Sequence, residues 1–260
     1  MASMMGGAVE LSLVAMLLVL AGVFLIAFMK GAFGGGFAII GIPLLSIVME
    51  PLTAGALLAP LFVAMDVCAL RYWKPSTWSK PDLVRLVPSL LVGIGLGYLA
   101  LRKLDSRVVA IAMALITLAF TAHWFWGGGQ IAIRPRSTVK AIAAGVGSGV
   151  TTMVAHSGGP PLAMYLLPLG MSKAIYAGTT SLFFTVGNAA KAIPWLLLVP
   201  PTGTVWIVIG VCLLAVPTGV WAGWKLHTRL DQRQLYQACY GLLLLTSLKL
   251  LWDGLSGYLR

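Results

Sequence analysis

Charge is scarce in this chain. Only 10% of its 260 residues are Asp, Glu, Lys or Arg, against about 25% in soluble domains, too few to clothe a water-facing surface. Acidic residues are the rarest, seven in all and never clustered, which leaves no carboxylate pair for general acid–base chemistry. Histidine occurs three times, at His123, His156 and His227, with no i,i+4 pair. That removes the usual helical zinc motif, and neither a metal nor another cofactor is expected. Cysteine also occurs three times, as Cys68, Cys212 and Cys239, each within an apolar run. An odd number of thiols with no C-x-x-C pair argues against a disulfide framework and for small apolar filling. No Walker motif is present, so the chain carries no ATP-driven motor of its own.

Hydrophobic residues, by contrast, make up 59% of the sequence, and the mean hydropathy is +0.95. An all-α polytopic membrane protein is the fold class this implies. The formal net charge of +11 does not indicate a nucleic-acid partner, because the basic residues fall in short clusters between apolar runs. Ten candidate membrane segments follow along the chain: 8–30, 36–49, 53–73, 83–101 and 108–126, then 138–155, 159–169, 174–199, 204–224 and 234–252. The first run, Ala8 to Met29, has no basic residue ahead of it and no A-x-A-like cleavage site, so it reads as a membrane segment rather than a signal peptide. Segments 36–49 and 159–169 are too short for a helical crossing; they read as half-helices or re-entrant pieces.

With ten crossings, one set of loops carries Lys30, Arg71, Lys74, Lys80, Arg85, Arg134, Arg136, Lys140, Lys173, Lys225, Arg229 and Arg233. The other set has Arg102, Lys103 and Arg107, with Lys249 and Arg260 near the C-terminus. The positive-inside rule places the first set in the cytoplasm and both termini outside.

Self-similarity gives the architecture. Gly93, Gly97, Leu104, Asp105 and Arg107 match Gly219, Gly223, Leu230, Asp231 and Arg233, each pair 126 positions apart. Leu61-Phe62 match Leu182-Phe183 at 121, and Gly35-Gly36 match Gly158-Gly159 at 123. Two repeats, 1–130 and 131–260, would each hold five segments. An odd number makes the second copy insert upside down, the 5+5 inverted repeat common among secondary transporters, with a site between repeats built from interrupted helices. The interrupted pair here is "GAFGGGFAIIGIP" (Gly31–Pro43) and "GSGVTTMVAHSGGPP" (Gly147–Pro161).

"GAFGGGF", "PLTAGALLAPLF" with the following "LRYW", "HSGGPPLAMYLL", "GTTSLFF" with the following "NAAK", and the glycine-then-"LD" element of both halves occur in that order. Together they resemble the TauE/SafE sulfite-exporter type of membrane permease, over residues 20 to 250. The resemblance implies transport of a sulfur-containing anion such as sulfite, sulfoacetate or an aryl sulfonate. Where members often carry Thr-Ser in the first half, this chain has Leu58-Ala59-Pro60, while the second half keeps Thr179-Thr180-Ser181. That asymmetry weights polar contacts toward the second repeat.

The candidate site residues follow from the chemistry of an anion inside a membrane. A helix broken at mid-membrane frees N–H groups at an N-terminus carrying roughly half a positive charge. Gly34, Gly35 and Gly36 mark one such break, and Ser157, Gly158 and Gly159 the other; close packing through small residues is the competing reading. Thr151, Thr152, His156 and Ser157 are hydrogen-bond donors at the second break, although threonines also bond their own helix. Asn188 and Lys191 lie within the apolar run Ala174–Val199, where a lysine at the membrane centre costs about 2.5–3.5 kcal/mol. Either it binds substrate or it snorkels along its stem to an interface. Asp66, Arg71 and His156 are the coupling or gating candidates: Asp66 takes a proton, or pairs with Arg71 or Lys191. Phe33, Phe37, Phe183 and Phe184 would line a substrate or simply pack. His123 beside Trp124 and Trp126 reads as an interfacial belt, and His227, in a basic loop, as solvated.

The expected function is a secondary transporter or permease in the bacterial cytoplasmic membrane, with a small organosulfonate or sulfur-containing anion held between two broken-helix N-termini. An anion channel and a carrier of another small carboxylate or oxyanion are the alternatives. Scarcity of acids and histidines disfavours a membrane enzyme. The expected partners are the anion and membrane lipid, with a homodimer left open and no nucleic acid.

Overall fold

The computed structural model describes residues 12–37, 45, 48–49, 51–100, 106–126 and 133–256. Among them the regular structure is entirely helical: α1 (Leu13–Phe33), α2 (Pro51–Leu70), α3 (Lys80–Ala100), α4 (Ser106–Trp126), α5 (Thr138–Ala155), α6 (Gly159–Leu166), α7 (Lys173–Leu198), α8 (Gly203–Arg229) and α9 (Gln232–Ser256), with two 3-10 turns. Serines at positions 12, 137 and 172 cap α1, α5 and α7, each side chain accepting a hydrogen bond from a backbone N–H three residues on. These caps satisfy donors that the first helical turn leaves free.

Among the described residues six helices are long and apolar enough to cross a membrane, and the apolar stretches Ile111–Trp126 and Thr138–Val154 are shorter. The molecule is arranged for lipid. Leu214, Val139 and Leu197 are 78%, 76% and 74% exposed, whereas Lys30, Asp66, Thr179 and Lys191 are buried. A water-facing fold distributes these residue types the other way.

Most expected segments coincide with helices to within a few residues. Segment 36–49 lies largely outside the described residues, as do Arg102 and Lys103. Two expectations are corrected. Lys30 is not a loop residue: α1 runs on to Phe33 and ends where Gly34 takes a left-handed φ of +76°, its N–H donating to Lys30 O. Glycine, not the first charge, stops the helix. His227 is not solvated either. Helix α8 continues to Arg229, and the buried His227 ring packs edge-on to Trp73 with Nδ1 2.7 Å from Ala32 O.

The most extensive helix contacts are α3 with α5, α1 with α8, α4 with α9, and α2 with α7. Small residues allow the closest of these. A Cβ on Gly223 would lie 1.9 Å from Phe28 O of α1, and one on Gly93 would lie 2.2 Å from Val146 O of α5. In lipid, where apolar side chains gain nothing by leaving their solvent, such backbone approach supplies the packing energy.

Helices α5 and α6 form a hairpin with unequal legs. Gly147 lies against Pro161, and Arg134 N–H donates to Pro168 O at 2.8 Å, so α6 and its 3-10 extension return toward the end from which α5 starts. Asp82, in the first turn of α3, ties that end together. It accepts from Tyr165 Oη at 2.7 Å, Arg136 Nε at 3.2 Å and Ser79 Oγ at 2.5 Å. Asp82→Ala leaves the phenol and hydroxyl without their acceptor, a loss of about 2–4 kcal/mol. A lower melting temperature in detergent is expected; an unchanged one would show that the cluster is not stabilising.

Candidate functional site

The two glycine-rich stretches meet. Gly34, Gly35 and Gly36 hold φ values of +76°, +114° and +85° in succession, a backbone only glycine adopts at low cost. Gly36 lies against Gly159 so closely that a Cβ on Gly159 would sit 1.7 Å from Gly36 O. On the other side, α5 ends at Ala155, and His156 takes a left-handed φ of +50°, the only non-glycine residue with positive φ among the described residues. Its own N–H and that of Ser157 both reach back to Thr151 O. Gly158 follows, and α6 starts at Gly159 with Pro160 in its first turn, where the missing proline N–H costs nothing.

Beside this junction lies a cavity of about 20 Å³, lined by Lys30, Gly36, Phe62, Thr152, His156, Gly158, Gly159, Phe184, Asn188 and Lys191. That is room for about one water. Five parts of the chain build it: the end of α1, α2, the end of α5, the α5–α6 break and α7.

Its polar groups form two linked sets. Lys30 Nζ pairs with Asp66 Oδ1, and Asn188 Nδ2 donates to Asp66 Oδ2 at 2.6 Å. Both Lys30 and Asp66 are buried, so their charges stay in low dielectric only because they meet. In the second set, Lys191 Nζ donates to Thr152 Oγ1 at 3.0 Å and lies 3.4 Å from His156 Nδ1. No carboxylate lies within ion-pair distance of Lys191 among the described residues. Phe62 stands between the sets, its ring centroid 5.0 Å from Lys30 Nζ and 4.7 Å from Lys191 Nζ, each contact a cation–π attraction. Trp195 lies against His156 with ring centroids 4.7 Å apart.

Several polar atoms here have no partner. Among the described residues, His156 Nε2 and Ser157 Oγ at the break, and Thr180 Oγ1 and Ser181 Oγ on α7, are buried without a hydrogen bond. Thr151 is different: its hydroxyl donates to Gly147 O of its own helix at 2.7 Å, which leaves no free proton for a ligand.

Of the residues singled out from the sequence, Gly36, Thr152, His156, Gly158, Gly159, Phe184, Asn188 and Lys191 therefore line one cavity, with Asp66 bonded to two of its walls. Gly34, Gly35, Thr151 and Ser157 adjoin it. Arg71 is exposed just beyond α2, and Asp66 pairs with Lys30 rather than with Arg71 or Lys191. Lys30 and Phe62 were missed. The available signal for Lys30 was its place four residues before a triple glycine that itself ends the helix.

Six helices able to cross a membrane among the described residues, with an apolar exterior around buried lysines, fit a multi-pass membrane protein. The family model described as sulfite exporter TauE/SafE matches residues 18–250, and the chain belongs to that family of transport proteins. No match was found among curated proteins or among solved structures.

Proposed function

We propose that this protein is a secondary transporter that moves a small organosulfonate or sulfur-containing anion across the bacterial cytoplasmic membrane. The observation that carries the reading is Lys191, a buried cation without a carboxylate partner among the described residues, beside His156 Nε2 and Ser157 Oγ, which are unpaired among those residues. A buried cation in that setting is costly unless an anion completes it. The hydroxyl and imidazole donors suit sulfonate oxygens, and Phe62, Phe184 and Trp195 exclude water around them.

The inverted repeat, with halves at 1–130 and 131–260, supports alternating access. Under the sequence matches, α1 corresponds to α5, α2 to α7, α3 to α8, and α4 to α9. The contact of α1 with α8 is then the mate of α5 with α3, while α2–α7 and α4–α9 are self-paired. Equivalent residues also touch each other, as they must on a twofold axis. Gly36 and Gly159 are 123 apart and in contact, and Asp66 is hydrogen-bonded to Asn188, one residue beyond its equivalent position Gly187. The anion site lies beside this axis, between the glycine-rich breaks, so rocking one repeat against the other would open it to either side in turn. Asp66 and His156 are the groups placed to couple a proton to that movement.

The test is a thermal-shift screen of the purified protein against sulfite, sulfate, sulfoacetate, taurine and aryl sulfonates. A ligand present at about a hundred times its dissociation constant adds roughly 2.7 kcal/mol to stability. A rise in melting temperature with at least one sulfur anion is expected, and none with choline or other cations. A uniformly flat screen would sink the substrate assignment.

A further inference from the structure

We propose that the site is charge-balanced for a monovalent anion, and that Asp66 is the residue that sets this limit. The inference rests on the anion-site reading above and deepens it. Lys30, Lys191 and Asp66 are the charged side chains of the cluster among the described residues. With Lys191 as an ammonium donor, Nδ1 of His156 at 3.4 Å accepts and the ring proton falls on Nε2, which has no partner among the described residues; in that tautomer His156 adds no charge. Two ammonium groups and one carboxylate leave one net positive charge.

The placement of Asp66 makes that balance local. Its two oxygens are taken up separately, Oδ1 by Lys30 and Oδ2 by Asn188 Nδ2. The carboxylate thus spends Lys30's charge before any ligand arrives, while Lys191, with hydroxyl and imidazole neighbours only, keeps its own. A sulfonate or hydrogensulfite, each singly charged, would neutralise the site. A dianion of the same shape would leave a buried negative charge uncompensated. It could enter only together with a proton that cancels the excess charge. The acidic side chain therefore acts as a specificity-determining residue through Lys30.

Methanesulfonate and sulfate test this, because both present tetrahedrally arranged oxygens on sulfur but differ by one charge. Binding of each to the purified full-length protein is measured by titration calorimetry at neutral pH, in buffers of different ionisation enthalpy. The unsubstituted protein should bind methanesulfonate about tenfold or more tighter than sulfate. Asp66→Asn keeps the shape and removes the charge, and should shift the ratio about tenfold or more toward sulfate. Lys30→Gln combined with Asp66→Asn restores the single net charge and should restore the original preference. Should Asp66→Asn fail to fold, proton uptake by the unsubstituted protein decides: about one proton per sulfate bound and none with methanesulfonate. A ratio unmoved by Asp66→Asn, a preference for sulfate in the unsubstituted protein, or equal proton uptake would overturn the inference while leaving the anion site standing. Failure of both anions to bind the unsubstituted protein would overturn the anion-site reading itself, and this inference with it.

Discussion

Lys191→Met is expected to lower affinity for the transported anion thirtyfold or more without lowering stability. The two halves of that expectation come from one fact: the ammonium group is buried and lacks a carboxylate partner among the described residues. Removing one side of a buried charge contact costs about 2–5 kcal/mol when the ligand binds. Without ligand, however, the same cation has only Thr152 Oγ1, His156 Nδ1 and the Phe62 ring to offset its lost hydration. An unbranched thioether of similar length fills the space and removes that penalty, so the melting temperature should hold or rise. A structural lysine would behave in the opposite way, with Lys191→Met melting earlier and binding normally. Equilibrium binding and thermal melting on the same preparation separate the two roles.

Gly159→Ala should be among the most disruptive single-methyl changes in the protein. The added carbon would meet Gly36 O at 1.7 Å and Gly36 C at 2.5 Å, and both are backbone atoms that no rotamer change can move aside. Only separation of the two glycine-rich stretches relieves the clash. The expected cost is about 3 kcal/mol or more, the upper range for overpacking. Size-exclusion chromatography and flux assays should show loss of folded, active protein. Gly210→Ala is the matched control, since a Cβ there meets nothing within 4 Å. If both variants behave alike, the close contact of the two breaks is not essential.

Much of this arrangement was legible because the lipid environment makes polar residues conspicuous. Lys191 and Asn188 stand out in an apolar run, and Asn188 is separated from Asp66 by nearly the same interval as the glycine pairs. What failed did so for identifiable reasons. Lys30 was counted as a loop charge because a cation ending an apolar run usually marks an interface. Here the helix continues for three residues and the carboxylate that keeps Lys30 buried is 36 positions away, on α2. The partner of Asp66 was equally invisible, since hydrogen-bond pairing across helices depends on rotation about their axes. His227 lies among basic residues, yet α8 carries it onto Trp73 and Ala32 O. Thr151 and Thr152 look alike in sequence; only the helix phase points Thr152 at Lys191 and leaves Thr151 bonded to its own backbone.

The most direct test is uptake of radiolabelled methanesulfonate into proteoliposomes, comparing the unsubstituted protein with Lys191→Met at equal reconstituted amounts. Saturable flux above protein-free vesicles is expected for the unsubstituted protein, falling to the protein-free level in Lys191→Met. Flux at the same rate in both would contradict a transport site at Lys191.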